Sequence, residues 1–88
     1  MCRSIKTLAH LDPSASDEEI RAAALQFVRK LSGAHRPSRA NEPAFDQAVE
    51  EVTASARRLL HTLTTSAPPR NRDEEARKAH ERARRRFA

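Results

Sequence analysis

Six residues in a row of seven carry most of the binding chemistry of this chain: His35, Arg36, Pro37, Ser38, Arg39 and Asn41. Two guanidinium forks and the free N–H groups of a following helix can hold a phosphate or a carboxylate. Polar loops presented by rigid helices are where binding residues concentrate. This segment is therefore the candidate partner-binding site, set against the plainer alternative of a solvated connector whose Ser and Asn cap a helix.

A second cluster, Arg82, Arg84, Arg85 and Arg86, can neutralise phosphates along a nucleic acid. Phe87 alone follows it, so no interleaved aromatics are available to stack bases. The alternative is a solubilising helix end, where arginines suit the negative pole of the dipole. Cys2, the single cysteine, becomes a terminal 1,2-aminothiol if Met1 is removed, and nearby Arg3 and Lys6 favour its thiolate. With His10 it makes only an incomplete zinc set, and a small side chain at a chain end is the simpler reading. His10, His61 and His80 have no metal-ligand spacing with one another or with His35. Glu50-Glu51 lies on a polar helix face, and the helix dipole explains Asp17-Glu18-Glu19. No catalytic constellation, metal set or cofactor motif emerges, so the expectation is a chain that is not an enzyme and carries no cofactor.

The elements that must position these residues are helical. Arg3 to Leu11 places Ile5, Leu8 and Ala9 at helical spacing, and Asp12-Pro13 ends the segment. Ser16 with Glu19 forms the S-x-x-E capping signature of a second helix, whose stripe is Ile20, Ala23, Ala24, Phe27, Val28 and Leu31. Gly33 suits its left-handed end. Asn41 caps a third helix with Pro43 in the first turn, and Phe45, Ala48, Val49, Val52, Ala56, Leu59, Leu60 and Leu63 form the longest stripe. Pro68-Pro69 is a stiff joint. Asn71 can cap a last helix in which Asp73/Arg77, Glu74/Lys78 and Glu81/Arg85 are favourable pairs, and whose thin stripe is Ala76, Ala79, Ala83 and Phe87. A helix of about 15 residues is marginal alone in water, so it should dock loosely, fray or order on a partner.

Size and charge narrow the classes further. The 88 residues are 38% hydrophobic with three Phe and neither Trp nor Tyr, enough for one thin core between helices and little for an enclosed pocket. The net charge of +5 is uneven. From Arg70 onward eight basic residues face four acidic ones, a net of +4, and the first 69 residues hold nine against eight, a net of +1. One cysteine excludes an internal disulfide and fits a reducing compartment. The start lacks the apolar run of a secretory signal, and no stretch reaches the ~18–20 apolar residues of a membrane span. A cytoplasmic location with no membrane role is expected.

Two resemblances add to this. The opening Met-Cys-Arg-Ser-Ile-Lys-Thr-Leu, AALQFVRKLSG from Ala23 to Gly33, PSRAN from Pro37 to Asn41 and SAPPR from Ser66 to Arg70 resemble a family of small bacterial proteins catalogued as a domain of unknown function, with Ser4 where that family has Asn. Leu8 to Leu63 resembles, more weakly, the J-domain of co-chaperones, which implies a short helix, then two packed helices joined by a His/Pro loop. In that family a His-Pro-Asp tripeptide engages the seventy-kilodalton heat-shock chaperone. Here His35 matches the His, Pro37 follows an inserted Arg36, and Ser38 stands at the Asp. The loop arrives about three residues late and Ala34 replaces the usual aromatic, so the motif is not intact.

The expected architecture is all-α: a small J-domain-like helical hairpin with a short N-terminal helix and a basic C-terminal helix, residues 1–66 forming the core and 67–88 the joint and basic helix. The expected function is that of a small adapter binding a protein through His35–Asn41. A nucleic-acid or ribosome-associated role through Arg82–Arg86 is the alternative, and a thiol or metal site at Cys2 a third.

Overall fold

The computed structural model describes residues 3–87, the side chain of Phe87 excepted. Two long antiparallel helices carry the fold: α1, Asp17–Ser32, and α2, Glu42–Thr62. Before α1 lies a two-residue strand, β1 (Leu11–Asp12), which pairs in parallel with β2 (Arg70–Asn71), and α3 (Arg72–Phe87) follows β2 directly.

Local chemistry sets the helix ends. Ser16 Oγ accepts from the Glu19 N–H at 3.1 Å and Glu19 Oε1 accepts from the Ser16 N–H at 2.9 Å, so the capping box is closed in both directions. Gly33 ends α1 with φ 71° and donates its N–H to the Arg29 carbonyl at 2.9 Å, a left-handed stop that favours glycine. At the start of α2, Asn41 occupies the cap position but its side chain makes no capping bond; Pro43 sits in the first turn as expected. Asn71 does cap α3, its Oδ1 accepting from the Glu74 N–H at 3.1 Å. The ion pair on that helix is Lys78 Nζ to Glu75 Oε1 at 4.0 Å, one residue off the spacings expected from the sequence.

The short N-terminal helix expected for Arg3 to Leu11 does not form. Gln26 of α1 tethers the start of the segment, Oε1 accepting from the Ser4 N–H at 2.9 Å and the Ile5 N–H at 3.2 Å, two donors that a helix beginning at Arg3 would leave free. His10 adopts a left-handed conformation (φ 56°), and the next two residues pair with β2. Nine residues without a cap cannot offset the nucleation cost of a helix against these tertiary bonds. The first helix that the J-domain resemblance implies is therefore absent.

The core is a single seam. Ile20, Ala24 and Val28 of α1 meet Val49 and Thr53 of α2, and these are the buried residues among those described. Thr53 was not foreseen as a core residue. Its hydroxyl is satisfied within the helix, donating to the Val49 carbonyl at 2.6 Å. One flank of the seam is ionic: Arg57 Nε donates to Asp17 Oδ1 at 2.8 Å, and Arg21 Nη2 lies 3.6 Å from Glu50 Oε1. The other flank is apolar and open. The molecule measures 44 × 37 × 15 Å, so it is little more than one helix thick. Its radius of gyration, 15.5 Å, exceeds the roughly 12 Å of a compact domain of this length.

Candidate functional site

The loop between α1 and α2 is held by one backbone turn and by two side chains of α1. The Ala34 N–H donates to Ser32 Oγ at 3.3 Å, Arg29 Nε donates to the His35 carbonyl at 3.0 Å, and the Asn41 N–H donates to the Ser38 carbonyl at 3.0 Å. This frame leaves His35, Arg36, Ser38, Arg39 and Asn41 exposed and Pro37 half-buried. Among the described residues neither Arg36 nor Arg39 forms an ion pair. The predicted loop residues are thus brought together at one end of the hairpin, on a frame shaped by turns and by Arg29.

Beside the seam runs an apolar groove of about 290 Å³, walled by Ala23 and Phe27 of α1 and Val52, Ala56 and Leu60 of α2, with Ile5 and Leu8 of the N-terminal segment at its side. Its origin is arithmetic. The apolar stripes of both helices are wider than the strip each buries, and the surplus falls on the flank away from the ion pairs. Phe27 is 43% exposed, Leu31 72% and Leu59 57%. Leu31 and Leu59, expected on the core stripes, instead face solvent.

A third assembly went unseen in the sequence. The first residue of α3, Arg72, reaches across to the start of α1. Its Nη1 and Nη2 bond Glu19 Oε2 and Oε1 at 2.9 and 2.7 Å, its Nε donates to the Pro13 carbonyl at 2.6 Å, and Nη2 also donates to the Ser14 carbonyl at 3.0 Å. Such a bidentate, charge-assisted fork fixes position as well as adding energy. The Arg72 bonds, then the Ser16 N–H, hold the Glu19 carboxyl well below its ordinary value, at about 2, against a smaller opposing effect of burial. The same bonds raise the Arg72 guanidinium. Arg70 works beside it, its side chain bonding the Ala9 carbonyl and its N–H donating to the His10 carbonyl at 2.8 Å. A capping box seen in the sequence thus doubles as the receptor for an arginine 53 residues away.

The remaining candidates are placed as follows. Arg82, Arg84, Arg85 and Arg86 lie exposed on α3, and Arg82 alone of them lines a cleft against the N-terminal segment. Cys2 lies outside the described residues. Among the described residues no group of three or more His, Cys, Asp or Glu side chains is placed to hold a metal ion, and no helix is long and apolar enough to cross a membrane.

Fold and sites together define a mainly α-helical protein, a two-helix hairpin with an arginine-clasped third helix. The chain belongs to the family described as "Uncharacterized conserved protein (DUF2277)", whose model matches residues 1–78. The match takes in the hairpin, its loop, the strand pair and the clasp, and stops before Arg82. No curated protein and no solved structure matches the chain. The J-domain likeness rests on the residues quoted for it alone.

Proposed function

We propose that this chain is a non-enzymatic adapter that binds another protein along the open flank of the hairpin, with the His35–Asn41 loop at the end of that surface. One observation carries the reading: the fold is a single layer whose apolar stripes are wider than its seam. A helical pair ordinarily covers such a face with a second layer. Here the groove is lined by apolar side chains only, and Phe27 and Leu31 lead from it toward the loop.

The occupant that fits is an acidic amphipathic helix of a partner, laid in the groove by its apolar face. Lys6 follows Ile5, Lys30 lies one turn on from Phe27, and both are exposed; Arg36 and Arg39 add two more cations at the loop end. A second copy of the chain would bring the same basic rim and a net charge of +5 against its own.

The test is a photo-crosslinking residue at position 31 in the native cell, followed by reconstitution with the purified captured protein. Leu31→Asp and Arg39→Ala should each weaken reconstituted binding by about tenfold or more, with the helix content of the free chain unchanged. Binding that survives both substitutions, a cross-link only to a second copy, or no cross-link at all overturns the reading.

A further inference from the structure

We propose that the cleft between the N-terminal segment and α3 binds a phosphate monoester of a small, hydroxylated, non-aromatic molecule. The cleft holds about 400 Å³, at the lower end of the roughly 300–1,000 Å³ of small-ligand sites. Lys6 and Thr7 line it from the N-terminal segment, Arg82 from α3, and Arg70 from β2. Leu11, Ala76 and Ala79 supply its apolar lining, and Glu75 is the one acidic side chain.

Charge chooses the ligand. Arg72 also borders the cleft, but Glu19 neutralises it through the bidentate pair. Arg70 is half-buried and pinned by its bond to the Ala9 carbonyl, so one guanidinium is fixed in place before any ligand arrives. Lys6 and Arg82 are exposed and make no ion pair among the described residues. Three cations stand against Glu75, whose carboxylate also lies 4.0 Å from Lys78 Nζ, so the cleft keeps a balance of at least two positive charges, which a phosphate monoester, close to a dianion at neutral pH, goes furthest to satisfy. A phosphodiester backbone supplies one charge per unit and matches less well. Guanidinium forks suit phosphate oxygens, Thr7 can donate to one, and the Glu75 carboxylate can accept from a ligand hydroxyl. No aromatic side chain lines the cleft, so a nucleobase has nothing to stack on. A ligand held by Lys6 on one side and Arg82 on the other also ties α3 to the body well beyond its first residue.

The probe is sn-glycerol 3-phosphate, titrated into the full chain at low salt and followed by amide chemical shifts. Saturable binding at one site is expected. Lys6→Ala and Arg82→Ala should each weaken it by about tenfold or more, the loss of one charge-assisted hydrogen bond. Arg84→Ala and Arg85→Ala, on the same helix but outside the cleft, should leave it unchanged. Amide hydrogen exchange along 73–82 should slow on binding. Helix content, measured on every variant, checks that each folds. Equal affinity for inorganic phosphate, tighter binding of adenosine monophosphate, equal losses at Arg82, Arg84 and Arg85, unslowed exchange, or no saturable binding overturns the proposal. Adapter-surface variants such as Leu31→Asp lie outside this cleft, so it stands or falls separately from the adapter reading.

Discussion

Val49 and Leu59 sit on the same predicted stripe of α2, and side-chain size alone says that truncating the leucine costs more. The structure reverses that order. Val49 is 2% exposed and packs in the seam, whereas Leu59 is 57% exposed on the flank. Val49→Ala removes two buried carbons, about 1.6 kcal/mol of transfer free energy at ~0.8 kcal/mol each. The seam cannot close over the gap, and an unfilled volume of about 50 Å³ adds roughly 1 kcal/mol at ~24 cal/mol per Å³. The expected loss is therefore about 2–3 kcal/mol. Leu59→Ala removes three carbons of which less than half the surface was covered, so about 1 kcal/mol is lost and no enclosed cavity is left. Urea unfolding followed by circular dichroism reads both, with unchanged slopes and shifted midpoints. In thermal melts the difference should be large, since each 1 kcal/mol moves the midpoint of a domain this size by about 4–8 °C. A Leu59→Ala loss equal to or greater than that of Val49→Ala would show that the flank is covered in the free protein, and the argument for an open face would fail.

The clasp gives a pH signature. The folded state lowers the Glu19 carboxyl from 4.5 to about 2, so its contribution to stability is complete above about pH 4.5 and is lost as pH falls toward 2. Carbon-detected titration of the Glu19 carboxyl should find that depression in the native chain and a smaller one, held by the Ser16 N–H, in Arg72→Ala; equal values in the two refute the clasp. At Gly33 the φ of 71° is the obstacle, because an added Cβ would meet nothing within 4 Å. Gly33→Ala should therefore cost about 1–2 kcal/mol from backbone alone, with Gly33→Asn milder; equal stability of Gly33→Ala and wild type in urea sinks that account.

Much of the hairpin was legible because its signals are local. The Ser16/Glu19 box and Gly33 bracket α1, and Asn41-Glu42-Pro43 opens α2 where the sequence places it. Periodicity found the stripes but not how much of each would be buried. The residues beyond the seam, Phe27, Leu31 and Leu59, carry the same apolar signature as those within it. Arg3 to Leu11 misled because its helical spacing is real but loses to the left-handed turn at His10 and to the strand pair. Arg70 and Arg72 read as members of a charged tail, since nothing in their neighbourhood reveals partners 53 to 61 positions away. The loop was found by residue type, and its frame by Arg29 was not.

The Arg72 fork also orders events in time. The hairpin closes over a nine-residue turn, while the fork must bring together points separated by 53 to 59 residues. Joining distant points carries an entropy penalty that rises with the length enclosed, so the two long helices assemble first and the latch shuts last. Nicking the connection near Pro68 after the latch has shut would leave two fragments held together by arginine bonds and a two-residue ladder. Acid, by protonating Glu19, would loosen the hold on the shorter one and leave the carbonyl bonds of Arg70 and Arg72 to carry it.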